Sequence, residues 1–119
     1  MVLLLLGCEN SARRTLNVLE VQKIDADTQL KCEYFAYTGP DGREVRHGKS
    51  VLWYQSGGKY LESNYSHGEL DGRCVVFSED GKEQIVGWYR HGKPWQGEVQ
   101  FGHEIRKYSG GKLLGSRTD

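Results

Sequence analysis

The sequence has no excess of charge and no long apolar run, and both absences narrow the possible functions. Its 119 residues include 16 basic and 16 acidic side chains, so the formal net charge is zero. A nucleic-acid-binding domain normally has a basic surface excess, so we expect no nucleic-acid partner. The apolar run at residues 1–6 is far shorter than the roughly 20 residues that a membrane-spanning helix needs.

The sequence also lacks the motifs of common catalytic and nucleotide-binding sites. Residues 42–50 come nearest to a phosphate-binding loop, but five residues, not four, separate Gly42 from Gly48. A strand-like run follows this segment, where the phosphate loop requires a helix. No serine, histidine and acid are singled out as a triad by their spacing or by a nucleophile elbow. We therefore predict no catalytic residue, no nucleotide, no cofactor and no enzymatic activity.

What the sequence has is glycine at regular spacing. Of its sixteen glycines, Gly48, Gly72 and Gly97 are separated by 24 and then 25 residues. Trp53 and Phe77 each lie five residues after one of these glycines. The pairs Tyr65 and Tyr89, His67 and His91, and Gly68 and Gly92 also fall in register. A fixed period of roughly 20–50 residues indicates a repeat architecture.

Each repeat contains two short runs rich in aromatic and β-branched residues. The runs at residues 51–54, 60–65, 74–77 and 85–89 predict strands, and the Gly-Gly and Asp-Gly steps between them predict hairpins. The expected fold is all-β, an antiparallel meander of β-hairpin repeats that forms an elongated twisted sheet. Glycine tolerates the positive φ of tight turns, and the expected turn glycines are Gly48, Gly58, Gly68, Gly72, Gly81, Gly92 and Gly97.

The flanking segments extend the same pattern less clearly. Residues 15–24 fit a strand or one helical turn, and β propensity favours the strand. Residues 29–38 predict another strand, in which Leu30, Cys32, Tyr34 and Ala36 share one face. After Gly97 the next hairpin is shortened, and the tail at residues 109–119 is expected to end in a frayed strand.

The motifs at residues 65–72, 80–82 and 87–92, together with Gly97, resemble the bacterial variant of the MORN repeat. They follow that family's alternation of aromatic, any residue, Asn or His, then Gly, with an x-Gly-Lys turn. This resemblance implies a protein that scaffolds protein–protein contacts or a membrane surface. Related bacterial proteins are often labelled antitoxins, so it also implies an alternative, a cytosolic protein that binds and neutralises a toxin.

The start of the chain resembles a bacterial lipobox. Leu5, Leu6 and Gly7 precede Cys8, which would be the lipidated residue, although Leu6 departs from the usual small residue and a basic segment is missing. We predict that residues 1–8 are the remnant of a lipoprotein signal and that residues 9–14 are a polar tether. Residues 15–119 then form a single repeat domain, and the protein is anchored in the cell envelope. The alternative is a short apolar N-terminus of a cytoplasmic protein.

The histidines and cysteines are the remaining candidates for a metal site or a disulfide. His47, His67 and His91 occupy equivalent positions, and repeats two strands wide separate them by about 10 Å on a flat sheet. Zinc needs its ligands within about 2.0–2.1 Å, so we predict no metal site. The histidines are instead read as turn residues that tolerate left-handed backbone. Cys32 and Cys74 fall on strands that are not neighbours, which predicts two separate thiols.

Aromatic residues recur with the repeat and form the candidate partner-binding face. Strand alternation is expected to place them together, with Tyr54 and Trp88 on the opposite side. Such residues either pack on one another or remain open to an unknown protein partner. Trp95 is the best candidate for contact, because it lies in the predicted turn after Pro94 where packing requires no tryptophan. The face comprises Trp53, Tyr65, Phe77, Tyr89, Trp95 and Phe101.

Overall fold

A computed structural model describes residues 17–118, which form one open antiparallel sheet in which successive strands are neighbours. The all-β hairpin meander expected from the sequence is thus confirmed. Cys8, the lipobox and the polar tether lie outside the described residues. The strands are β1 Leu19–Ile24, β2 Lys31–Thr38, β3 Glu44–Trp53, β4 Lys59–Ser66, β5 Glu69–Leu70, β6 Gly72–Phe77, β7 Glu83–Arg90, β8 Lys93–Phe101, β9 Glu104–Ser109 and β10 Lys112–Thr118.

Every run that the alternation marked as a strand contains a strand, but Tyr54 lies beyond the end of β3, and residues 29–30 precede β2. The ambiguous segment near the start contributes β1, which pairs along its whole length with β2. Asp71 interrupts what is otherwise one strand, so β5 and β6 together correspond to β8 in the next repeat. The hairpin of β8 and β9 has a two-residue turn, as its shortened sequence indicated. The tail forms β10, which stays paired with β9 as far as Thr118.

Four of the seven expected turn glycines need correction. Gly48, Gly72 and Gly97 have positive φ but lie within β3, β6 and β8 and not in turns, and Gly58 is misassigned by one residue. Gly57 donates its N–H to the carbonyl of Tyr54 at 2.9 Å, and Gly81 donates in the same way to Ser78 at 2.9 Å. Gly57 and Gly81 are therefore equivalent, with φ values of 105° and 92°. Gly58 has no positive φ, because it occupies the position that Lys82 fills in the next repeat. The two adjacent glycines made the register ambiguous by one residue.

The cross-strand register gives the sheet two different faces, since directly paired residues project to the same side. On the apolar face, Leu61 pairs with Val76 and Val76 pairs with Ile85. On the other side, called the mixed face, Glu62 pairs with Val75, which in turn pairs with Val86. The core is small and includes a cluster of Cys32, Tyr34 and Ala36 on β2, three of the four residues expected to share a face there.

The sheet folds over itself at one point. The ladder between β7 and β8 spans Gly87 to Arg90 and ends at the pair of Gly87 and Gly97. Beyond it, β8 crosses the apolar face, and the carbonyl of Glu98 occupies the space that a Cβ on Gly87 would need. This close approach requires glycine at both paired positions. It brings the far end of β8 over the sheet, where it forms one wall of a half-open cavity.

Candidate functional site

The register separates the six aromatic residues that were expected to share one face. Tyr65 lies four residues beyond Leu61 on β4, and Tyr89 lies four beyond Ile85 on β7, so both belong to the apolar face. Trp53 instead projects to the mixed face, where its indole N–H donates to Glu33 Oε1 at 3.0 Å. The expectation of one aromatic face was therefore wrong. The alternation within each strand was predicted correctly. Alternation alone does not determine which residues of neighbouring strands pair, and therefore which of them project to the same side of the sheet.

Phe77 and Phe101 make contacts that differ from those of Tyr65 and Tyr89. Phe77 is the counterpart of Trp53 and follows Val75 by two residues on β6, which places it on the mixed face. The backbone carbonyl of Phe77 accepts a hydrogen bond from the hydroxyl of Tyr54 at 2.7 Å. Phe101 ends β8 and is 38% exposed, with the guanidinium of Arg106 4.4 Å from its ring centroid.

Two exposed indoles stand out on the mixed face. Trp88 is 42% exposed and Trp95 is 38% exposed. Trp88 pairs across the strands with Gln96, the residue that follows Trp95. Arg90 projects on the same side as Trp88, and its guanidinium lies 4.6 Å from the Trp95 ring centroid. These three residues, Trp88, Arg90 and Trp95, are called the indole patch. Sequence reasoning missed Trp88 and Arg90, although their spacing of two on one strand was a usable signal.

Trp95 lies within β8 and not in a turn. The register shifts here, because Trp88 pairs with Gln96 whereas Tyr89 pairs with Pro94. Trp95 is thus the extra residue of a β-bulge, and it makes the second repeat one residue longer than the first. Its ring lies 3.0 Å from the position that a Cβ on Gly111 would take, and its carbonyl accepts the Gly111 N–H at 2.8 Å. The expectation that this tryptophan has no packing role was wrong.

The histidines are closer together than a flat sheet allows. The rings of His47 and His67 lie 4.4 Å apart, and Tyr37 OH lies 2.8 Å from His67 Nδ1. The flat-sheet spacing fails because the tip after β4 folds back onto β3, where Gly68 donates its N–H to the carbonyl of Arg46 at 2.8 Å. His67 and His91 have φ of 48° and 51°, the left-handed backbone expected for them, whereas His47 lies within β3 and is not a turn residue.

The residue before each of Gly48, Gly72 and Gly97 stabilises the tip of the hairpin that follows. Its side chain accepts a backbone N–H from that tip in all three cases, so an imidazole, a carboxylate and an amide perform the same task. This position carried no recognisable signal, because the three residue types differ. The bonds run from His67 to His47 Nδ1 at 3.0 Å, from His91 to Asp71 Oδ1 at 3.4 Å, and from Gly110 to Gln96 Oε1 at 3.2 Å.

A cavity of about 340 Å³ lies under the crossing end of β8 on the apolar face. Tyr65 and Tyr89 line it, together with Cys74. Burial raises the pKa of the Cys74 thiol to about 11. It also raises the pKa of the Tyr89 hydroxyl to about 12, with smaller contributions from nearby Cys74 and two neighbouring tyrosines. At neutral pH these groups are therefore uncharged hydrogen-bonding groups.

Metal-binding and disulfide chemistry find little support in the described part of the chain. Within residues 17–118 no cluster of three or more histidine, cysteine or acidic residues could hold a metal ion. Cys32 on β2 and Cys74 on β6 are both free thiols, with β3 and β4 between their strands. The same residues contain no helix long and apolar enough to cross a membrane.

Comparisons with protein-family models, with curated proteins and with solved structures found no match to this chain. The resemblance to MORN repeats therefore rests on the sequence motifs alone and stays a prediction.

Proposed function

We propose that this protein is a non-enzymatic scaffold that binds a protein partner through the indole patch. The observation that carries the proposal is the pair of tryptophans, each more than a third exposed, with Arg90 lying against the Trp95 ring. Tryptophan and arginine are the residues most enriched in the energetic centres of protein interfaces. Neighbouring exposed indoles form an apolar surface patch, and such a patch favours contact with another molecule.

The charge around the patch favours a partner with acidic side chains. Arg90 and Lys93 pair with each other across β7 and β8, and neither forms an ion pair with a carboxylate of residues 17–118. The other strand-borne arginines at this side are engaged, for example Arg73 with Glu83 at 2.8 Å. Two unpaired cations beside exposed indoles would complement carboxylates at the rim of a partner surface.

A photo-crosslinking amino acid at Gln96, which pairs with Trp88 and follows Trp95, tests this surface once thermal unfolding shows that loss of its hydrogen bond to Gly110 leaves the fold intact. Irradiated cells should give a discrete crosslinked band that is lost when Trp95→Ala or Trp88→Ala is added. The same crosslinker at Gln22, an exposed position on β1, is the matched control and should give no such band. The same band from both positions, or a band at Gln96 that survives both tryptophan changes, would contradict the proposed surface.

The location of the scaffold is a separate part of the proposal, and it depends on Cys8. A lipid anchor at that residue would hold the repeat domain at the membrane surface by the short polar tether. Labelling with a palmitate analogue should occur in the full chain and disappear in Cys8→Ser. A soluble, unlabelled wild-type protein would contradict the anchor and favour the cytosolic toxin-binding alternative.

A further inference from the structure

The cavity on the apolar face has the size and the walls of a small-molecule site. Its volume of about 340 Å³ falls in the range of roughly 300–1,000 Å³ that such sites occupy. The side chains of Leu61, Leu70 and Val76 form apolar walls, and the rings of Tyr65 and Tyr89 add aromatic surface. It lies on the other side of the sheet from the indole patch, so it does not depend on the proposed partner surface.

Polar groups at this cavity lack partners in the protein. Ser63 is only 4% exposed and lines the cavity. Among residues 17–118, no group hydrogen-bonds to its hydroxyl, to the Tyr89 hydroxyl or to the Cys74 thiol. Buried polar side chains are nearly always paired in folded proteins. Of these three groups only Ser63 is buried, whereas Cys74 and Tyr89 are half-buried, so it is the unpaired Ser63 hydroxyl that points to a bound molecule as the missing partner.

The lining also indicates the charge of that molecule. The polar lining groups are hydroxyls, a thiol and the amide of Gln100, and the lining includes no acidic or basic side chain. An ion placed there would be desolvated without a counter-charge, which is strongly unfavourable. The thiol and the Tyr89 hydroxyl stay protonated at neutral pH, so they add no charge of their own.

We propose that this cavity binds a small uncharged aromatic molecule bearing a hydroxyl or carbonyl group. Its ring packs between Tyr65 and Tyr89 in offset or edge-to-face contact. Its oxygen reaches the hydroxyl of Ser63, with the Cys74 thiol and the Tyr89 hydroxyl as further donors. Leu61 and Val76 provide the apolar floor.

Fluorescence of N-phenyl-1-naphthylamine, which is neutral and brightens in apolar surroundings, measures occupancy. We expect saturable binding of about one molecule per chain, with Kd of about micromolar order. The anionic analogue 8-anilino-1-naphthalenesulfonate should bind at least about tenfold more weakly, because no basic side chain lines the cavity and Arg46 lies outside the lining, 5.5 Å from the Tyr65 ring centroid. Absence of saturable binding to the folded protein would overturn the proposal, and equal affinity for the anion would overturn the assigned ligand class.

Three variants locate the site. Cys74→Phe fills the cavity and should weaken binding at least about tenfold, whereas Leu113→Ala at an exposed position of β10 should leave it unchanged. Ser63→Ala should weaken displacement of the dye by 1-naphthol about three- to tenfold, with little effect on displacement by naphthalene. Undiminished binding in a folded Cys74→Phe protein would contradict the assignment.

A second measurement covers the case in which Cys74→Phe does not fold. In the wild-type protein, adding 1-naphthol should shift the amide NMR signals of Ser63, Cys74 and Tyr89. The signals of Trp88 and Trp95 should stay in place. Shifts confined to the indole patch, or absent from the three cavity residues, would overturn the proposal.

Discussion

At the scale of single residues, Gly87 shows how a missing side chain positions a whole strand. The carbonyl of Glu98 fills the place of its Cβ, and Val99 Cγ1 lies 3.0 Å from that place. Gly87→Ala should therefore lower the free energy of unfolding by about 1–3 kcal/mol, the usual cost of overpacking. Gly115 is the control, since no atom lies within 4 Å of its Cβ position and its φ is not positive.

Urea unfolding of both variants measures this difference. Gly115→Ala should lie within about 0.5 kcal/mol of the wild type, as surface substitutions usually do. Equal unfolding midpoints for the two variants would mean that β8 does not cross β7 at this residue.

Cys74 gives the protein a pH dependence above neutrality. Burial raises its pKa to about 11 in the folded protein, whereas an unfolded thiol ionises near pH 8.5. Between these values the unfolded chain loses its proton first, so this group contributes stability below pH 8.5 that is lost as the pH rises towards 11. From pH 8 to pH 10 the wild type should lose about 1–2 kcal/mol more than Cys74→Ala does.

The check is the unfolding midpoint of both proteins at the two pH values. All other titrating groups are shared, so the difference between the two slopes isolates the thiol. Parallel slopes would show that the Cys74 thiol is not buried in solution.

At the scale of strands, the bulge at Trp95 explains why one repeat is longer than the other. Deleting Trp95 would join Pro94 to Gln96 and leave the pairs of Tyr89 with Pro94 and of Trp88 with Gln96 in regular succession. We expect this deletion to preserve the fold, with a modest loss of stability from the lost contact with Gly111. Deleting Val86 from the middle of β7 is the control, since it moves every following side chain to the other face.

Far-ultraviolet circular dichroism and thermal unfolding distinguish the two deletions. The protein without Trp95 should retain the wild-type spectrum and a cooperative transition, and the protein without Val86 should lose both. Unfolding of both variants would show that Trp95 is an integral part of the ladder.

The strands also show which features of the structure the sequence could predict and which it could not. Alternation and Gly-containing turns act over a few residues, so the strands and the meander were predictable from short segments. The faces were not, because bulges such as the one at Trp95 shift the register between strands. The cavity was also hidden, since it depends on Gly87 and Gly97 meeting on neighbouring strands and on Ser63 from a third.

At the scale of the whole molecule, the sheet is extended and its core is thin. The principal extents are 56 × 35 × 25 Å and the radius of gyration is 17.4 Å, against about 13–14 Å for a compact domain of this length. Large buried side chains such as Tyr34 and Val75 are few. Each strand therefore depends mainly on its sequence neighbours, and stability is a sum of local interfaces, as in other repeat proteins.

This arrangement predicts graded protection from hydrogen exchange across the sheet. Strands β1 and β10 each have one neighbour, and all seven residues of β10 are exposed, so their amides should exchange fastest. Amides of β6 and β7, paired on both sides near the fully buried Val75, should exchange slowest.

Val75→Ala should speed exchange in these central strands and cost about 1–3 kcal/mol, whereas Leu113→Ala, at a position 52% exposed, should affect β10 alone. Uniform protection from β1 to β10 would instead indicate one cooperative unit, and the thin core would then be more strongly coupled than its packing implies.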